Sequence, residues 1–298
     1  MPPSHRTTAR SLLLLLIVGV AAATAGSAAG AAKVPQLIFP VVGKVSYIDD
    51  FGDPRGQGAH QGNDLMAPWR APVVAVEAGK VEYWTTSWRA GCMLYLHGAS
   101  GTMYLYVHLN NDLTAKNDNR GRCVAGTAYW KGLKNGQKVA AGQPIAYVGD
   151  SGDADGIAHH LHFEVHPGGG GAVSPYRYLR AAKRLLFPVQ PKQDFTAALR
   201  GKVLAADELS LTMNVERVQM WPGSIRVPGL SRKVELNVSP ELALVDPLGA
   251  FFASARISAL KQGQPATAFT EKATASLKAA LGEPLAMTTE KLVLSKLP

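Results

Sequence analysis

The 298 residues carry 31 Lys and Arg against 22 Asp and Glu, a formal charge of +9 at pH 7, with only 2 cysteines. No run of five or more basic residues occurs and the positive side chains are dispersed, which argues against nucleic acid as the partner. Neither Cys92 nor Cys123 has a Cys-x-x-Cys neighbour, which argues against a thiolate metal site.

In chain order, residues 1–31 read as a secretory signal peptide. Arg6 and Arg10 start it, an apolar run with five consecutive leucines follows, and small residues lead to the A-x-A sequence Ala29-Gly30-Ala31, with Ser27-Ala28-Ala29 as a rival cleavage site. The strongly apolar part, about a dozen residues, is shorter than the roughly 20 needed to span a bilayer, so no membrane span is expected after cleavage. No Cys follows the run, so no lipid anchor is expected there. Cleavage removes Arg6 and Arg10 and no acidic residue, taking the charge from +9 to +7. A basic exported protein is drawn to anionic polymers. Export to an oxidising compartment also points to a disulfide between Cys92 and Cys123, closing a loop around His108.

Residues 33–45 form an entry segment with Pro35 and Pro40. Strands are expected over 73–76, 80–84, 92–96, 103–107, 143–148 and 161–165. Each is short, rich in β-branched or aromatic residues, and bounded by Gly, Asp or Pro, which predicts an antiparallel β domain. Residues 110–135 lack alternation and read as a long loop carrying Cys123, Tyr129 and Trp130; held near His108 by the disulfide, it is expected to shape one wall of a cleft, with Tyr129 and Trp130 either contacting substrate or packing the loop onto its own domain. A short helix within 174–186 is expected to end this domain. Beyond Pro188-Val189-Gln190-Pro191, period-two patterns over 208–220 and 233–238 and a further run at 242–245 predict a second, β-rich domain. Segments 253–263, 273–281 and 291–297 are less decisive, and the last is a candidate to close a sheet. This smaller domain resembles the five-stranded OB-like barrels that bind oligosaccharides or oligonucleotides, and no motif fixes its ligand.

The chemistry concentrates in Ala59-His60-Gln61-Gly62-Asn63-Asp64 and His159-His160-Leu161-His162-Phe163-Glu164. A catalytic zinc takes three protein ligands and keeps a fourth position open. His60 and Asp64 offer two from one segment, and His160 or His162 a third from the other. If the second segment is a strand, His160 and His162 share one face while Leu161 and Phe163 point to the core. His108, at the end of Tyr104-Leu105-Tyr106-Val107-His108, is a further candidate. His97 is expected in a hairpin and His159 on the face opposite His160. His166 shares the face of His160 and His162 and leads into a glycine-rich loop.

With these motifs the sequence resembles the lysostaphin-like zinc metallopeptidases, bacterial endopeptidases that cut the peptide part of peptidoglycan, whose signature is H-x-G-x-D followed by H-x-H. The resemblance covers about residues 39–179. It includes Phe51-Gly52-Asp53-Pro54-Arg55, Ala71-Pro72-Val73-Val74-Ala75-Val76, Tyr106-Val107-His108-Leu109, Gly136-Gln137-Lys138-Val139 and Ser174-Pro175-Tyr176 in the family's order. It implies zinc held by His60, Asp64 and His162, with His108 and His160 off the metal as catalytic groups acting on substrate and water. His159 stands where the family usually has Pro.

The expected architecture is therefore mainly β: a signal peptide (1–31), an antiparallel β-sheet metallopeptidase domain (32–187) and a smaller β-rich accessory domain (188–298). The resemblance implies a secreted or periplasmic zinc metalloendopeptidase of the cell envelope, hydrolysing peptidoglycan peptide crosslinks with zinc-bound water as nucleophile. The alternative is a non-catalytic wall-binding or regulatory protein that keeps the fold. Nothing in the residues fixes the bond cut or the oligomeric state.

Overall fold

A computed structural model describes residues 33–56, 58–252 and 255–295, together with Met1. Apart from Met1, the expected signal peptide lies outside the described residues. In chain order, β1 (Pro54–Arg55) and β2 (Gly58–Ala59) pair as a small antiparallel ribbon, followed by β3 (Asn63–Met66) and β4 (Pro72–Val74). Then come β5 (Gly79–Ser87), β6 (Gly91–Gly98), β7 (Met103–Leu109), β8 (Lys138–Val139), β9 (Pro144–Tyr147), β10 (His160–His166) and the helix α1 (Tyr176–Ala181). Six of these strands form a sheet in the order β3-β10-β7-β6-β5-β8, every pair antiparallel. One face is packed. Leu94, Leu96, Tyr104, Tyr106, Leu161, Phe163 and Val165 are all fully buried there, with Val73, Ile145 and Ala146 from the separate β4–β9 pair in the same cluster. The mainly β, antiparallel fold class expected from the sequence is observed.

The loop expected over 110–135 contains no named strand, and Cys92 and Cys123 are joined in a disulfide. Aromatic packing holds it down. Tyr129 is buried, stacks on Tyr83 with centroids 3.7 Å apart and donates its hydroxyl to the Met93 carbonyl at 3.0 Å. Trp130 stacks on Tyr147 with centroids 4.9 Å apart.

The second half contains β11 (Asp194–Ala206), β12 (Ser210–Trp221), β13 (Ile225–Val245), β14 (Pro265–Thr270), β15 (Ala273–Thr274), the short helix α2 (Leu277–Leu281) and β16 (Thr288–Leu294). Pairings run β11-β12-β13-β16-β14 and return to β11, so five strands close on themselves. Only β13–β16 is parallel in that ring. Where two runs were expected over 233–245, there is one strand of 21 residues, its ladder broken between Val238 and Ala243. Pro240 lies in that break, and proline has no N–H to offer a ladder. Strands β11 and β14 were not anticipated: β11 interleaves buried Leu199 and Val203 with Arg200 and Lys202 around a small-residue stretch that carries little hydrophobic signal. The barrel interior shares its cluster with Leu185, Leu186 and Phe187, which follow α1. Among the described residues no helix is long and apolar enough to cross a membrane.

The disulfide links residues 31 apart in sequence. A closed loop of that length restricts the unfolded chain by about 3 to 4 kcal/mol on the chain-entropy model. The Cys92→Ser, Cys123→Ser protein is expected to lose stability of that order in urea unfolding, and an unchanged midpoint would contradict it.

Candidate metal centre

The backbone register brings the two halves of the motif together. On β10, His162 lies directly opposite Asp64 of β3, and His160 opposite Met66. Residues directly opposite in an antiparallel pair have side chains on the same face, so His162 and Asp64 meet. The approach is close enough to require Gly62: a Cβ there would meet the Phe163 carbonyl oxygen and, at 2.9 Å, Nε2 of His162.

Three donor atoms converge. His60 Nε2 lies 2.8 Å from His162 Nδ1 and 3.1 Å from Asp64 Oδ1, and His162 Nδ1 is 3.0 Å from Asp64 Oδ1. Each is held from behind. His60 Nδ1 is 2.8 Å from the Asp50 carbonyl, Asp64 Oδ2 accepts from the Arg55 guanidinium at 3.0 Å, and His162 Nε2 is 2.9 Å from Glu164 Oε1. A carbonyl or carboxylate takes a ring proton, so these contacts assign the protons to His60 Nδ1 and His162 Nε2. The opposite nitrogens then face Asp64, whose carboxylate shares a proton with them in the metal-free chain. Three donor atoms crowded at about 3 Å repel one another unless a proton or a cation sits among them, and a tetrahedral zinc with bonds near 2.0 to 2.1 Å spaces its ligands by about 3.3 Å. The residues present fit such an ion.

His108 and His160 flank this triangle. His108 Nδ1 is 2.8 Å from the Ser151 carbonyl and His160 Nδ1 is 2.9 Å from the Ala158 carbonyl, which again leaves each Nε2 bare. Their ring centroids are 5.0 Å apart, and His108 is 6.0 Å from His162. All five histidine and aspartate side chains anticipated from the sequence thus line one cleft of about 570 Å³, with Arg55, Arg89, Tyr95 and Ile157 on its walls.

His108 reaches the cleft by an irregularity. Alternation along β7 places Tyr104 and Tyr106 in the core and Leu105 and Val107 on the cleft side, so a regular strand would send His108 inward. Between the pairs Leu94↔Tyr106 and Cys92↔Leu109 the register shifts by one residue, and His108 takes φ 58°. This bulge turns His108 out beside Val107.

Among the other histidines, His97 sits on the β5–β6 ladder near Glu82, as the hairpin reading expected. His166 Nε2 contacts Glu164 Oε2 at 2.6 Å, extending the chain His162–Glu164–His166 behind the donor triangle without lining the cleft. Asp50, Arg55, Ser151 and Glu164 had no assigned role in the sequence reading. Arg55 and Glu164 lie inside its motif segments, whereas nothing local marks Asp50 or Ser151. Tyr129 and Trp130, considered as substrate contacts, pack within the protein and do not line the cleft. Their loop is not a cleft wall, because its aromatic side chains are taken up by Tyr83 and Tyr147.

The protonation balance follows from these contacts. Burial works against charge at Asp64, yet hydrogen bonds from His162 and His60 prevail and hold its carboxyl well below the usual carboxylate range. Burial likewise opposes ionisation of Glu164, but hydrogen bonds from His162 and His166 hold it down at about 2. His162, although buried, is pushed up to about 9 by Asp64 and Glu164, a proton that a cation would displace. Burial, reinforced by His160, lowers His108 from 6.5 to about 4.

Residues 124–175 match the model of Peptidase family M23, a segment that contains the second motif. The chain is 31% identical over 160 residues to the L-Ala–D-Glu endopeptidase of Bacillus subtilis (strain 168), covering 49% of this chain and 43% of the relative. It is 30% identical over 142 residues to the uncharacterized lipoprotein YgeR of Escherichia coli (strain K12), covering 48% of this chain and 46% of the relative. The match thus spans less than half the length of both curated relatives. Among solved structures, the catalytic domain of the antimicrobial peptidase lysostaphin from Staphylococcus simulans aligns over 46% of this chain and 92% of that one, with 26% identity and a TM-score of 0.36. The lysostaphin-like, M23 resemblance read from the sequence is borne out.

His108 provides a pH test. Between pH 6.5 and about 4 the unfolded chain takes up a proton that this buried imidazole refuses. The His108 contribution therefore destabilises the fold progressively as pH falls through that window and is neutral above it. Ring resonances of His108 followed by NMR should titrate near pH 4, and a midpoint near 6.5 would contradict its desolvation.

Proposed function

We propose that this chain is a zinc-dependent endopeptidase that hydrolyses peptide crosslinks of bacterial peptidoglycan in the cell envelope, after export directed by residues 1–31. The observation that carries the reading is the triangle of His60 Nε2, Asp64 Oδ1 and His162 Nδ1, whose edges are 2.8 to 3.1 Å and whose opposite atoms are engaged elsewhere. The M23 match and the similarity to an L-Ala–D-Glu endopeptidase support the substrate class.

His60, Asp64 and His162 are the proposed zinc ligands. When bound, zinc polarises a carbonyl and lowers the pKa of water from 15.7 to about 7. The remaining chemistry belongs to His108 and His160. Their bare Nε2 atoms accept a proton from the attacking water and return it to the leaving amine. The Ser151 and Ala158 carbonyls hold the imidazoles in the tautomer needed. Low proton affinity at His108 makes it the stronger donor once charged, which suits protonation of the amine. Arg55 and Arg89 on the cleft walls favour an anionic stem peptide over a neutral one.

Residues 188–298 are proposed as an accessory domain with an OB-like barrel. The ring of five strands closed through one parallel pair supports that reading.

Purified peptidoglycan incubated with the protein should release fragments whose mass spectra show a cleaved peptide bond, and intact muropeptides would favour a non-catalytic wall-binding protein. Asp64→Ala or His162→Ala should each lose one equivalent of bound zinc along with hydrolysis, by elemental analysis and assay. His108→Ala or His160→Ala should keep that zinc while turnover falls on the order of 10² to 10⁴-fold. Glu164→Gln, which removes the carboxylate behind His162, should weaken zinc 10 to 100-fold in chelator competition. A full zinc complement kept in His162→Ala, with one equivalent lost in His160→Ala, would reverse the ligand order in His160-Leu161-His162.

A further inference from the structure

A second convergence of donors lies outside the cleft. Asp112 at the start of the long loop, Asp150 after β9 and His159 just before β10 bring three potential ligand atoms within 4.8 Å of one another. Asp112 and Asp150 are 0% and 1% exposed, so neither carboxylate is hydrated as a surface acid would be. Their partners do not account for them. Asp112 Oδ1 accepts from the Asn119 N–H at 2.8 Å, but Asp112 Oδ2, Asp150 Oδ1 and His159 Nε2 are buried without any hydrogen bond.

The spacing argues for an ion between them. His159 Nε2 lies 4.0 Å from Asp112 Oδ2 and 3.9 Å from Asp150 Oδ2, too long for hydrogen bonds. With metal–ligand bonds of about 2.1 Å, tetrahedral donors stand about 3.4 Å apart and collinear ones about 4.2 Å, so these atoms need draw in by only about half an ångström to share one ion. Two buried carboxylates facing each other are costly unless a cation or a shared proton compensates.

We propose that Asp112, Asp150 and His159 bind a second divalent cation. The single imidazole with two carboxylates selects a zinc-type transition ion over calcium or magnesium, which prefer oxygen alone. Water completes the coordination.

Its place in the chain gives the ion a positioning role. Asp112 follows His108 by four residues. Asp150 precedes Ser151, whose carbonyl meets His108 Nδ1 at 2.8 Å and whose hydroxyl donates to the Leu109 carbonyl at 2.6 Å. His159 directly precedes His160. One ion therefore clamps the three backbone segments that present His108 and His160 to the cleft. It goes beyond the proposed zinc at His60, Asp64 and His162 and does not depend on it.

The test is elemental analysis of the full chain after equilibration with zinc, manganese and calcium and removal of free metal. Wild type should hold two equivalents of transition metal, Asp112→Asn one, Asp64→Ala one, and the double variant none. His159→Gln, at a side chain 23% exposed, should also hold one and covers the case in which Asp112→Asn fails to fold. In Asp112→Asn with one zinc retained, kcat should fall with KM held. One equivalent in wild type, lost in Asp64→Ala and untouched by His159→Gln or Asp112→Asn, overturns the second site. Calcium bound in place of the transition metals overturns its chemistry. One equivalent lost in His159→Gln but kept in Asp64→Ala supports the second site and sinks the first.

Discussion

The pairing of β10 with β3, His162 opposite Asp64, is the constraint on which the site depends. A strand has period two, so a slip of one residue would send His160 and His162 into the core and Leu161 and Phe163 into the cleft. What forbids the slip is the burial of Leu161, Phe163 and Val165 against Leu65, Tyr104 and Tyr106. Burial of a large apolar side chain contributes about 1.5 to 3 kcal/mol, and a slip forfeits several at once. The hydrophobic face thus sets the position of the polar one, and Gly62 permits the two segments to close to the distance the donors require.

A regular sheet is nevertheless insufficient for His108. The bulge on β7 costs a left-handed backbone at a non-glycine residue, a conformation held only where surroundings over-determine it. Those surroundings are present: the His108 N–H donates to the Ala90 carbonyl at 3.2 Å and its Nδ1 engages Ser151. Cys92, opposite Leu109, is tied through the disulfide to Cys123 on the other side of the loop. Irregular backbone and covalent restraint coincide at the one catalytic candidate that alternation would have buried.

This explains what was legible in sequence. His160 and His162 could be assigned to one face because β10 is regular, and the strands over 80–107 announce themselves by β-branched and aromatic residues between turns. The disulfide was legible from the expected export and the cysteine count. His108 could be recognised as a candidate, but its orientation could not, since a bulge depends on the partner strand. The roles of Tyr129 and Trp130 were equally hidden, because a loop aromatic packs on whichever side the chain returns. Closure of the barrel through the parallel β13–β16 pair joins residues about 50 apart, and β11 carries too few large apolar residues to declare itself. Asp112, Asp150 and His159 are separated by 38 and 9 positions, and only the fold makes them neighbours.

The two donor clusters also differ in how they are supported. At the first, every lone pair facing inward belongs to a group whose far side is anchored, by Asp50, Arg55 or Glu164. Such anchoring fixes tautomer and direction before any ion arrives and raises ligand basicity. At the second, Asp112 alone is anchored in this way, through Asn119, while Asp150 Oδ1 and His159 Nε2 lack partners. A preorganised centre suits chemistry, which needs one position open and fixed geometry. A centre whose ligands are satisfied only by the ion itself suits a clamp, because its ordering of three chain segments comes from binding. The geometry at His108 and His160, the residues proposed for catalysis, then rests on two different sources of order: the packed face of β10 in front, and the polar cluster behind.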